Sequence, residues 1–332
     1  MSSATRSDPA RRAAAFTHLL VLIALASPLT VRADVPSQPK PAAPLQTLVL
    51  PPHPRVLFFS PHPDDESLAA GGLIYRLVRA GDAVRIVFVT NGDGYPWAAQ
   101  EDFHLKKPTD TDYLALGELR QREALAAAQR LGLAKRHVSF LGFPDGGLAE
   151  LWRAHWSRTH PYTSPYTKED SPPYPGNVDP DVDYDGQDLT SVIARLLRDF
   201  HPTVVIMPHP YDTHLDHAHT SYFVTEAVEA LEVRHVLPRD LLILTYLVHD
   251  PEWPPAPGTS SELPAPSASR VPDTTWAQVR LTPAELAVKE DALSRYRSQV
   301  EVMADLFRRF QRENELFGRV KSEVLAKIAA VH

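Results

Sequence analysis

No cysteine occurs in the 332 residues of this chain. That excludes a disulfide framework and thiolate metal ligation, so any bound metal must rely on imidazole or carboxylate. Long apolar runs are missing too: the stretch from Leu19 to Leu29 covers 11 residues, against about 20 for a membrane span. Glycine is sparse, 14 residues against 32 prolines, which points to stiff, extended connections. Positive charge is in the minority, with 34 Lys and Arg against 41 Asp and Glu and a formal net charge of −7. This argues against nucleic acid or an anionic membrane as the main partner.

What is present begins with Arg6, Arg11 and Arg12 ahead of the apolar run, followed by Val31-Arg32-Ala33 with small residues at the cleavage positions. This is the pattern of a secretory signal peptide cut near Ala33, so the expected location is periplasmic or extracellular. Its removal would leave 30 basic and 40 acidic residues, a net charge of −10. Residues 34–52 read as a proline-rich leader, and 53–332 as one domain with loop insertions at 148–186 and 251–272.

Within that domain, Arg55–Ser60, Ala83–Thr90, His137–Leu141, Thr203–Met207 and Leu241–Val248 carry the short apolar runs of buried strands. Between them, Leu68–Ala80, Leu116–Leu131, Leu189–Phe200 and His217–Leu231 have helical spacing. The alternation predicts an α/β fold with a mostly parallel sheet of about five to six strands and helices on both faces. A capping box at Thr282-Pro283-Ala284-Glu285 opens a tail predicted to be helical to about Ile328. The 251–272 loop is expected to be exposed and mobile.

Ligands of open parallel sheets bind beyond the carboxyl ends of the strands. Two segments fall there: His62-Pro63-Asp64-Asp65-Glu66 and His209 to His217, which includes Tyr211, Asp212, His214 and Asp216. A hydrolytic zinc site needs about three N or O ligands and one open position, and His62, Asp65 and His217 supply that set. Asp64 is then free to take a proton from water. His214 and His217, three apart, would share a helix face, one on the metal and the other toward substrate. Asp216 would hold the His214 ring, and a protonated His214 would stabilise developing negative charge and set the alkaline limb of activity.

These motifs resemble those of the LmbE/PIG-L family of zinc-dependent N-deacetylases. Pro61-His62-Pro63-Asp64-Asp65-Glu66 is similar to its first metal motif and His214-Leu215-Asp216-His217 to its second, with Leu215 where proline is usual. Thr90-Asn91-Gly92-Asp93-Gly94, Arg120 to Glu123 with Leu131-Gly132, Leu141 to Gly146, Tyr296 to Gln299 and Asn314 to Phe317 resemble the segments between and after them, the last two its C-terminal helix. The resemblance implies a Rossmann-like three-layer fold, Zn2+ held by His62, Asp65 and His217, Asp64 as general base, and His214 acting on the oxyanion or the leaving amine. It implies removal of an N-acetyl group from an amino sugar or glycoconjugate, with Asp93, Arg120 and Tyr211 as candidate substrate contacts.

Other readings of the same residues are open. Asp64 and Asp65 would also serve as helix caps, Arg120 and Glu123 as a helix-surface pair, and His209, His219 and His249 as structural groups. Asp181-Val182-Asp183-Tyr184-Asp185-Gly186 matches the first half of a calcium loop but has Val192 at its twelfth position. The aromatic stretch 148–186 suits either a carbohydrate-binding lid or a rigid surface loop. For the whole chain the alternatives are an amidase on a non-sugar amide and a catalytically silent carbohydrate-binding protein.

Overall fold

A computed structural model describes residues 44–238 and 240–329; the expected signal peptide lies outside them. The first half of the domain runs β1 (Gln46–Thr47), β2 (Arg55–Ser60), α1 (Asp65–Ala80), β3 (Ala83–Thr90), α2 (Pro96–Phe103), α3 (Asp110–Arg130), β4 (Val138–Phe143) and α4 (Leu148–Arg153). It continues through α5 (Gly186–Phe200), β5 (Val204–Pro208), α6 (Leu215–Val233), β6 (Leu242–Tyr246), β7 (Thr274–Arg280), α7 (Pro283–Leu293), α8 (Arg297–Phe310), β8 (Asn314–Val320) and α9 (Ser322–Ala329).

The sheet forms because its central strands are apolar on both sides. Val56 and Phe58 of β2 and Val204 and Ile206 of β5 enter one core, roofed by α1, α3, α7 and α8. Leu57, Phe59, Val205 and Met207 alternate into a second core beneath α5 and α6. The result is three layers around a mixed sheet of eight strands in the order β1-β7-β8-β6-β5-β2-β3-β4. All pairs are parallel except those of β8 with β6 and β7. Gly81 ends α1 in the left-handed conformation, as its sequence position suggests.

Eight strands exceed the expected five to six, and the surplus lies where the sequence masks it. The capping box does open α7, but the tail is not one helix: residues 314–320 form β8, whose Asn314 and Glu315 are fully buried and break the apolar alternation of a strand. Gln46–Thr47, within the leader, pairs with β7. The 251–272 loop is tethered, contrary to expectation. Its Trp253, Leu263 and Val271 sit in the first core. Asn314 holds both the N–H and the C=O of Leu263, and Arg312 binds the carbonyls of Pro255 and Ala256. The acidic run at 181–186 is a helix cap, with Asp185 accepting from the Asp188 N–H at the start of α5.

Candidate metal centre

Numbered along the chain, the five contiguous parallel strands β2 to β6 lie in the order 3-2-1-4-5, and the connections reverse direction between β2 and β5. A crevice opens at such a point. The turn after β2 carries His62 and Asp64 and leads into Asp65 at the start of α1, and the turn after β5 carries Asp212 and His214 and leads into Asp216 and His217 in the first turn of α6.

Asp64 occupies the N-cap position of α1, yet its side chain makes no capping bond, and its φ of 132° is one that L-residues rarely adopt. Such strain costs about 1–3 kcal/mol and persists where neighbours enforce it. Here they are Glu66, which accepts the Asp64 N–H at 3.2 Å, and Arg120, which donates to Pro63 O at 2.8 Å and Asp64 Oδ2 at 3.1 Å. The strained turn frees the Asp64 carboxylate from the helix end. Burial and the charge of Asp65 raise its pKa well above the ordinary carboxylate value, with Arg120 opposing.

Three donor atoms converge beside it. Asp65 Oδ2 is 3.2 Å from His62 Nδ1 and 3.1 Å from His217 Nε2, and the two nitrogens are 3.3 Å apart. A triangle of this size suits one small cation about 2 Å from each donor, and all three residues are buried. The field there is negative enough to hold cationic charge: although burial opposes it, Asp65 and Asp212 raise His217 to about 9.

The outer nitrogens of both histidines face carboxylates. His62 Nε2 lies 3.1 Å from Asp145 Oδ1 and 3.3 Å from Asp216 Oδ2. His217 Nδ1 lies 3.2 Å from Asp212 Oδ2, off the line of an ideal hydrogen bond. Asp216 therefore does not hold His214, as the motif suggested. Its oxygens take the N–H groups of Gly146 and Leu148 and face His62. The reason is that His214 is the N-cap of α6, outside the helical turn, where its Nδ1 accepts the Asp216 backbone N–H at 3.3 Å. That leaves Nε2 as the protonated nitrogen of a neutral ring. Burial and the neighbouring His62 and His217 push the His214 pKa down to about 4, which favours a neutral ring over the imidazolium expected from the sequence.

A cavity of about 370 Å³ opens over this group, walled by His62, Asp64, Asp65, Arg120 and His214 from the motifs. Residues the sequence reading had not put in the site also line it: Asp145 at the end of β4, His249 after β6, Tyr95, Tyr166 from the 148–186 insertion, and Gln299, Met303 and Leu306 of α8. Arg120 is no surface partner of Glu123, whose carboxylate binds Ser298 instead.

Two expected substrate contacts lie elsewhere. Asp93 is buried behind the wall, bonded to the Tyr174 hydroxyl and pushed up to about 7 by burial and the charge of Asp145. Tyr211 points out of the site, to a separate cavity with Trp152 and Tyr222. His209 and His219 are structural, bonded to Thr274 and to the Leu215 carbonyl.

A family model described as PIG-L, GlcNAc-PI de-N-acetylase, matches residues 57–228, just over half of the chain. Over 187 residues the chain is 33% identical to the 1D-myo-inositol 2-acetamido-2-deoxy-alpha-D-glucopyranoside deacetylase of Mycobacterium sp. (strain KMS), covering 53% of this chain and 50% of that protein. It is 28% identical over 177 residues to the diacetylchitobiose deacetylase of Thermococcus kodakarensis, covering 52% and 49%. The chain thus spans about half the length of the curated relatives it matches. Among solved structures, the N,N'-diacetylchitobiose deacetylase from Pyrococcus horikoshii aligns with a TM-score of 0.50 and 20% identity over 82% of this chain and 85% of that one, a likeness of fold.

Proposed function

The chain belongs to the PIG-L, GlcNAc-PI de-N-acetylase, family, and from that membership we propose that it hydrolyses the acetamido group of an amino sugar or glycoconjugate. One observation carries the reading: the compact donor triangle of His62 Nδ1, Asp65 Oδ2 and His217 Nε2 adjoins a cavity into which Asp64 and His214 also open. Zinc held by those three residues would supply Lewis acidity, polarising an acyl oxygen and acidifying water. Asp64 takes a proton from water as its oxygen bonds to the acetyl carbon, and the proton passes to the nitrogen as the C–N bond breaks. His214 donates from Nε2–H to the acyl oxygen as that atom gains charge. Arg120 holds Asp64 in position, while Asp145 and Asp216 orient His62 and Asp212 orients His217.

Acetate release from chitooligosaccharides, peptidoglycan fragments and exopolysaccharide, with zinc measured on the same samples, tests the reading. No release from any of these by zinc-loaded protein would reject it. Turnover of simple non-sugar acetamides alone would make the protein an amidase. Saccharide binding without turnover would make it a silent binding protein. We further propose that the protein is exported after cleavage near Ala33; amino-terminal sequencing of exported material tests this, and an intact Met1 would overturn it. Among the described residues no helix is long and apolar enough to cross a membrane.

A further inference from the structure

Gln299, in the first turn of α8, is fully buried and forms part of the catalytic cavity wall with Asp64, Asp65 and His214. Hydrogen bonding fixes which end of its amide is free. The Glu123 carboxylate of α3 accepts the Ser298 N–H at 2.9 Å and the Ser298 hydroxyl at 2.6 Å. A carboxylate only accepts, so the single hydroxyl hydrogen is engaged and Ser298 Oγ can only accept from any further partner. That partner is Gln299, whose Nε2 donates to it at 3.0 Å. The NH2 end is thereby tied to the protein, while Oε1, itself buried, has no partner among the described residues.

A buried acceptor without a donor is unfavourable, and solvent does not relieve it here because Oε1 is closed to water. Such a group in a native fold calls for something that completes it. At a cavity wall the missing group is an N–H or O–H of a ligand, reached with a side-chain adjustment of the kind common on binding. The reacting atoms narrow the choice. In the reaction proposed above the acyl oxygen has His214 and the attacking water has Asp64, whereas the amide N–H has no acceptor. The other carboxylates of the wall are occupied: Asp145 takes the Gly94 N–H and faces His62, and Asp65 faces both His62 and His217.

We propose that Gln299 Oε1 accepts the N–H of the scissile acetamide, which makes Gln299 the residue that distinguishes an amide from an ester of the same acyl group. The inference rests on the deacetylase reading above. A held N–H also fixes where the nitrogen lone pair points as the proton from Asp64 arrives, so the contact bears on kcat as well as KM.

Steady-state kinetics of zinc-loaded wild type, Gln299→Met and Ser298→Ala test it on the methyl glycosides of N-acetylglucosamine and 2-O-acetylglucose, which differ at the scissile bond by N–H against O. Gln299→Met keeps the bulk of the side chain and removes the acceptor. Its kcat/KM on the amide should fall about 5- to 50-fold, with that on the ester within twofold of wild type. Ser298→Ala unties the NH2 end and lets the amide turn, so it should give the same amide-selective loss in smaller measure. The amide-to-ester ratio is the readout, because a folding defect lowers both activities alike. An unchanged ratio in both variants would overturn the proposal. If wild type cleaves neither glycoside, calorimetric titration of the pair decides the contact: a preference for the amide that Gln299→Met loses supports it, and equal preference in the two proteins rejects it. The deacetylase reading itself fails only if the acetylated glycans above also release no acetate.

Discussion

At the scale of single residues, roles follow from which atoms are already engaged. Asp64 neither makes a side-chain cap bond to α1 nor joins the donor triangle, and Arg120 pins it. Asp64→Asn should therefore retain zinc while activity falls by about 10² to 10⁴, the range for loss of a general base. Zinc content and kcat measured on the same preparation check this, and loss of zinc would mean that Asp64 and Asp65 have exchanged roles. His214 is a different case, because the Asp216 N–H on its Nδ1 makes it a neutral donor. His214→Ala should keep zinc and KM, with kcat lowered about 10²- to 10³-fold, as for one oxyanion donor. Since the wild-type ring is neutral above about pH 4, the variant should lower the whole pH profile above that point without moving its alkaline limb. A wild-type alkaline limb that vanishes in the variant would restore the imidazolium.

Between elements, two buried polar links tie the sheet to its surroundings. His209, at the end of β5, accepts the Tyr211 N–H on Nδ1 and contacts Thr274 Oγ1 at the start of β7 through Nε2 at 2.9 Å. Burial lowers its pKa to about 4, against about 6.5 when unfolded. Between those values the unfolded chain binds the extra proton, so stability is full above about pH 6.5 and declines as pH falls toward 4. Relative to His209→Gln, wild type should lose on the order of 3 kcal/mol over that interval, read from urea unfolding at several pH values. Parallel pH dependence of the two proteins would rule the link out.

The second link joins β8, α1 and α7. Glu315 of β8 accepts the Gly72 and Leu73 N–H groups of α1 at 2.8 Å each and pairs with Lys289 of α7 at 2.9 Å, all fully buried. Gly71 and Gly72 allow this approach, since a Cβ on Gly72 would run into Leu281 and one on Gly71 would press on Lys289. Lys289→Met strands the carboxylate and should cost about 3–5 kcal/mol, visible as a lower urea midpoint.

For the molecule as a whole, the site is a store of like charge: Asp65, Asp145, Asp212 and Asp216 surround two histidines at the junction of β2 and β5. A bound dication should therefore stabilise the fold by about 4 kcal/mol at a thousandfold excess over Kd. Chelation should lower Tm by about 7 °C, with zinc restoring it in a thermal scan; equal Tm with and without chelator would argue that no metal is held.

How much of this was legible in the chain can be read from the same residues. Arg55–Ser60 and Ala83–Thr90 are strands at the predicted bounds, because an apolar run buried on both faces is a local signal. The three candidate ligands do meet, because both motifs end strands that a parallel sheet aligns at one edge. By itself, then, the sequence determined the layered α/β plan and the donor set at its crevice. Tertiary structure alone decided the partners. Asp216 faces His62 rather than His214, since His214 ends up at a helix cap, and spacing by three means a shared face only inside a helix. Tyr211 turns away, Asp145 and His249 turn in, and Glu315 enters a strand, because each depends on segments 30 to 250 residues apart converging. No periodicity within one segment carries that information.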